Sequence, residues 1–119
     1  MNKFEALGLS PVLLKVIKEI NFSEPSEIQK KVIPLALEGH DVIGGSATGS
    51  GKTLAFGAPI IEKIKVGKDL QALILTPTRE LAEQVSKSIK LFSKYNPLRI
   101  VTVYGGISLE PQIRNLQTA

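Results

Sequence analysis

Cysteine is absent from the 119 residues, which rules out a disulfide framework and any thiolate metal site. Histidine occurs once, as His40, and a single imidazole cannot build a zinc site. No apolar run approaches the ~20 residues that a membrane-spanning helix needs. Met1 to Leu9 also lacks the basic and apolar regions of a signal peptide. A cytoplasmic protein without a membrane partner is the expectation. Internal repeats, low-complexity segments and linkers are missing too, and the length leaves room for one domain only.

What remains is the composition of an ordinary globular protein, 43% hydrophobic and 22% charged. The net charge of +4 and pI near 9.4 would attract polyanions. Lysines on solvated helix faces produce the same figure, so charge alone does not assign nucleic acid as a partner.

Start and stop signals divide the chain. Ser10 before Pro11 reads as an N-cap with proline at the first helical position, followed by Leu13, Leu14, Ile17 and Ile20 at helical spacing. Ser26 and Gln29 form a Ser-x-x-Gln capping box that opens a second helix through Val32, Ile33 and Leu37 to Gly39, with a bend predicted at Pro34. "DVIGGS" (41–46) predicts a short buried strand, and "KTLAFGAPIIEKI" a helix opening at Lys52 with irregularity at Gly57 and Pro59. "QALILTP" (71–77) has the continuous apolar character of a strand covered on both faces. Thr78 should cap a long helix with Leu81, Val85, Ile89 and Phe92 on one stripe, stopped by Asn96 and Pro97. "RIVTVYGG" (99–106) predicts a third strand, and "SLEPQIRNLQ" opens a further helix. This alternation predicts a three-layer α/β fold with a parallel sheet and right-handed crossovers.

The stretch "GGSATGSGKTLAF" (44–56) has the order strand, glycine turn, helix that a phosphate loop requires. Successive backbone N–H groups can curl around an anion there, and the helix directs its positive end at the charge. Gly49, Ser50 and Gly51 would allow close approach, Lys52 would reach the β and γ phosphates, and the Thr53 hydroxyl would sit on Mg²⁺. Ser46 stands where the strict pattern has its first glycine. The competing reading is a flexible turn carrying a solvated lysine.

Several stretches together resemble the DEAD-box ATP-dependent RNA helicases. "NFSEPSEIQ" (21–29) resembles that family's Q motif, with Phe4 at the place of its upstream aromatic and Asn21 where the family usually has glycine. "SATGSGKT" (46–53) is similar to motif I, with Ser46 in place of the usual alanine. "PTRELA" (77–82) is similar to motif Ia, and Gly105-Gly106 to the glycine doublet that follows. The resemblance covers nearly the whole chain, with the motifs in the family's order.

That resemblance implies a P-loop (RecA-like) fold with ATP and Mg²⁺ as cofactors. It assigns nucleotide contact to Phe22, Pro25, Gln29 and the loop Ser46, Ala47, Thr48, Gly49, Ser50, Gly51, Lys52 and Thr53. Lys52 and Thr53 are the catalytic candidates, and Thr53 is the metal ligand. Phe22 would stack on adenine and the Gln29 amide would read its edge, favouring ATP over GTP. Each has a plainer alternative: core packing for Phe22 and Phe4, and the capping box for Gln29. The resemblance further implies that Pro77, Thr78, Arg79, Gly105 and Gly106 touch the RNA sugar-phosphate backbone without reading bases. The alternative for Arg79 and Glu80 is a solvated first helical turn, and Lys87, Lys90 and Lys94 read as a solvated face.

The family's D-E-A-D and S-A-T sequences, and the arginines of its second domain, do not occur in these residues. Residues 1–119 are therefore expected to be the amino-terminal portion of a RecA-like helicase ATP-binding domain, apparently truncated, whose further partner is the remainder of the helicase core. Without the later strands the isolated chain should be marginally stable, prone to associate, and without turnover. Two other functions fit parts of the pattern: a non-helicase P-loop phosphotransferase and a non-catalytic RNA-binding module.

Overall fold

Ser10 and Pro11 start the first helix, α1 (Pro11–Glu19), but the Ser10 hydroxyl does not cap it. Both Ser10 Oγ and Ser10 N–H donate to the Glu62 carboxylate, at 2.8 and 3.2 Å. That acid sits on a distant helix and offers negative charge to the positive end of α1. The computed structural model describes residues 3–46, 51–65, 67, 69–106 and 109–117. Its other helices are α2 (Glu27–Leu37), α3 (Lys52–Lys63), α4 (Arg79–Phe92) and α5 (Leu109–Gln117), with a short 3₁₀ turn at Glu5–Leu7 that the sequence did not signal.

The ends of α1 and α2 share one stop device. After α1, Asn21 N–H bonds Lys18 C=O and Phe22 N–H bonds Ile17 C=O; after α2, Gly39 bonds Ala36 and His40 bonds Leu35 in the same pattern. Both are Schellman closures, which need a left-handed residue just past the helix. Gly39 takes it at φ 93° and Asn21 at φ 62°. Asparagine thus does at position 21 what the family's usual glycine would do.

Several details differ from the sequence reading. Gly57 and Pro59 lie inside a regular α3. Both are buried, so tertiary packing of the helix overrides their local cost. Pro34 lies inside α2, as the sequence reading placed it. Helix α4 stops at Phe92, before Asn96, because Ser93 turns its hydroxyl back onto Ile89 C=O at 2.8 Å.

The core is built from Phe4, Leu9, Leu13, Ile17, Ile33, Leu54, Ala58, Ile61, Val85, Ile89 and Phe92. Helix α3 packs on α2 and on α4, and α4 also meets α1. The predicted stripe of α4 is buried at Val85, Ile89 and Phe92, while Leu81 at its start is partly exposed. Phe4 is completely buried, so the packing reading of that residue holds.

The parallel sheet is the main difference. Among the described residues no strand is formed, and no backbone hydrogen bond joins the runs 41–46, 71–77 and 99–106. Strand assignment requires a neighbour's N–H and C=O groups in register, and these runs do not supply them to one another. Period-two patterning nevertheless survives in one run. Ala72, Ile74 and Thr76 are half-buried, whereas Leu73 and Leu75 are 76% and 85% exposed. Ile74 and Ile100 pack against the helical core, leaving the other side open.

Candidate functional site

The site begins at the capping box of α2. Gln29 Oε1 accepts the Ser26 N–H at 2.9 Å, and Ser26 Oγ accepts the Gln29 N–H at 3.4 Å. The other half of the same amide reaches across to the next element: Gln29 Nε2 donates to Gly51 C=O at 3.1 Å. Gln29 is 3% exposed, so its polar atoms are satisfied by these partners. The bond ties residues 26–29 to the residue that opens α3.

Gly51 is the N-cap of α3 at φ 87°. A Cβ there would lie 2.2 Å from Gln29 Nε2 and 3.3 Å from Ser26 Oγ. Glycine is therefore required twice, for the left-handed turn and for the approach of the amide. Lys52 and Thr53 follow at once in the first turn of α3, Lys52 exposed and Thr53 half-buried. First-turn N–H groups have no intrahelical acceptors, so donors and a cationic side chain share one helix end. Ser46 is half-buried. Ala47, Thr48, Gly49 and Ser50 lie outside the described residues. Pro25 is buried beside the capping box in sequence. Phe22 is 39% exposed and takes no part in the buried core.

A second group forms at the start of α4. Thr78 Oγ1 accepts the Leu81 N–H at 3.1 Å, the predicted cap. An accepting hydroxyl still holds its own proton to donate. The Arg79 guanidinium lies over the Tyr104 ring, 4.3 Å from its centroid. This contact brings the start of α4 to Gly105 and Gly106, both exposed, with Gly106 at φ 83°. Pro77 is exposed just before the cap. Arg79, Glu80, Glu83, Gln84 and Lys87 line a shallow groove along the helix.

Two participants escaped the sequence reading. The Gln29 to Gly51 bond spans 22 positions, and no local pattern announces its partner. Tyr104 appears only as an aromatic before a glycine pair, and its stacking on Arg79 depends on how α4 is placed.

By fold, the chain falls among DEAD-box proteins. It superposes on the crystal structure of a DEAD box protein from the hyperthermophile Methanococcus jannaschii with a TM-score of 0.91 and 42% identity, covering 96% of this chain and 32% of that one. Dbp5 of S. cerevisiae, in a structure bound to RNA and ADP BeF3, matches at a TM-score of 0.76 and 35% identity, over 81% of this chain and 25% of that one. In sequence it is 50% identical over 114 residues to RNA helicase CrhR of Synechocystis sp., covering 96% of this chain and 23% of that protein. The DEAD/DEAH box helicase family model matches residues 26–119. The chain belongs to the DEAD/DEAH box helicase family. It spans about a quarter of the length of the curated relative. Family membership removes the non-helicase phosphotransferase alternative.

Proposed function

We propose that residues 1–119 are the amino-terminal part of a RecA-like ATP-binding domain in an ATP-dependent RNA helicase. The observation that carries this reading is the Gln29 to Gly51 bond, which couples the Q-motif glutamine to the helix that would hold the phosphates. The strands of the parallel sheet belong to this proposal, formed when the runs at 41–46, 71–77 and 99–106 meet the remainder of the helicase core.

Phe22 stacks on adenine in this reading, Pro25 fixes the approach of that segment, and Gln29 recognises the base edge while keeping its cap. Each amide atom of Gln29 makes one bond in the structure and has capacity for a second. The backbone of Ser46 to Gly51 surrounds the phosphates, and Lys52 carries charge to the β and γ groups. Among the described residues no three acidic or imidazole groups cluster as metal ligands. Mg²⁺ commonly takes one or two protein oxygens with phosphate and water, and Thr53 fits that share. Bound ATP supplies the phosphoryl group whose hydrolysis drives the cycle. Thr78, Arg79 and the Gly105-Gly106 turn, with Pro77 setting the entry, hold the RNA backbone without reading sequence. A catalytic acid would come from elsewhere in the helicase core, so this segment alone binds without turnover.

The test is a titration with fluorescent ADP and Mg²⁺, competed by ATP and GTP, with Lys52→Ala in parallel. ATP should compete about tenfold or more better than GTP, the size of one or two mispaired buried polar groups. Lys52→Ala should abolish binding. Equal competition by GTP, or full binding by Lys52→Ala, would overturn the reading.

A further inference from the structure

Tyr104 makes three contacts from one side chain and its own backbone. Its ring carries the Arg79 guanidinium at 4.3 Å. Its hydroxyl donates to Glu83 Oε1 at 3.0 Å. Its backbone N–H donates to Gln112 Oε1 at 2.8 Å, and Gln112, on α5, is 5% exposed. The residue before the glycine pair is thus anchored on both α4 and α5.

Arg79 and Glu83 stand four positions apart on one helix face, where opposite charges ordinarily pair. Among the described residues no ion pair joins them. The acid instead accepts from the Tyr104 hydroxyl, and the guanidinium lies on the same residue's ring. Stacking on a π face leaves the guanidinium N–H edges open for a bidentate bond to phosphate. It also restricts a side chain that would otherwise lose much rotamer freedom on binding.

We propose that Tyr104 is a positioning residue for RNA. It holds Arg79 with its N–H edge toward the strand's phosphate and diverts Glu83, the carboxylate one helical turn away that could otherwise compete for that arginine. The inference rests on the reading that Arg79 contacts the RNA backbone.

The experiment measures binding of a fluorescein-labelled single-stranded oligouridine to the intact protein by anisotropy, across a salt series, with a non-hydrolysable ATP analogue present. ADP affinity serves as the folding control. Arg79→Ala should weaken RNA binding about tenfold and lower the salt slope by about one. Tyr104→Leu should weaken it about three- to tenfold, and adding it to Arg79→Ala should cost nothing more. Tyr104→Phe keeps the ring but frees Glu83, and should weaken binding about threefold. Adding Glu83→Gln to Tyr104→Phe should restore the affinity, a rescue that a purely structural role for the hydroxyl would not give.

Normal RNA binding by both Tyr104 variants, beside a weakened Arg79→Ala, overturns the inference and leaves the RNA reading standing. A Tyr104→Phe defect that Glu83→Gln fails to rescue also overturns it. Normal binding by Arg79→Ala overturns the RNA reading itself. If Tyr104→Leu loses ADP binding, Tyr104→Phe and its rescue decide, since that change keeps every ring contact.

Discussion

At position 51 the backbone and a neighbour's side chain impose the same demand. A non-glycine residue at φ 87° costs roughly 1–2 kcal/mol, and the new Cβ would press on Gln29 Nε2. Gly51→Ala should therefore lower thermal stability by about that amount and weaken ADP binding, as read by melting and by fluorescent titration. Position 21 gives the opposite case. Asn21 already holds the left-handed conformation, so Asn21→Gly should change stability by a few tenths of a kcal/mol at most. Asn21→Val should destabilise by about 1–2 kcal/mol, because a β-branched residue resists that conformation.

Between elements, α3 and the contact of α1 with the turn after α4 offer two separable tests. Gly57 sits in mid-helix, where an added Cβ would lie 3.6 Å from Ile89 Cγ1 and 4.0 Å from Phe92 Cδ2. Those are ordinary contact distances, so Gly57→Ala should raise stability by about 0.5–1 kcal/mol through helix propensity. A lowered melting temperature would mean the α3–α4 packing is tighter than those distances imply. At the other contact, Tyr95 and Lys94 both bond Glu19. The Tyr95 hydroxyl chiefly, and Lys94 after it, hold the Glu19 carboxyl below the ordinary glutamate range against a counteracting effect of burial. A folded-state pKa below the unfolded one gives stability that is present above the unfolded pKa and lost as pH falls through the folded one. Tyr95→Phe should therefore raise the Glu19 pKa in a carboxyl NMR titration, and its acid unfolding should begin at higher pH.

The whole molecule carries its helical core beside an open face. Ile43, Leu73, Leu75 and Val103 are exposed on runs that pair with nothing among the described residues. The radius of gyration is 14.8 Å, against about 13.5 Å for a compact domain of this length. Unpaired backbone carrying exposed apolar side chains makes a template for association. The 119-residue chain by itself should show concentration-dependent association in sedimentation, with a broad thermal transition. A monomeric mass with a sharp, reversible transition would contradict this.

Helix positions were legible in the sequence because their signals are local. Ser26 with Gln29, Thr78 before "RELA" and the apolar spacing of α1 and α4 each act within a turn or two of chain, where capping bonds and burial of one stripe are decided. The motifs that mark the family are local in the same sense, which is why Lys52 and Arg79 could be singled out from residue type and order. Strands are less legible, since an apolar run specifies only a need for cover, while a ladder needs partners brought from far along the chain. What only the tertiary structure decided are the contacts between distant positions. Gln29 reaching Gly51, Glu62 receiving Ser10, and Tyr104 carrying Arg79 while holding Glu83 each depend on how helices pack, and packing is set by shape complementarity that no short stretch encodes alone.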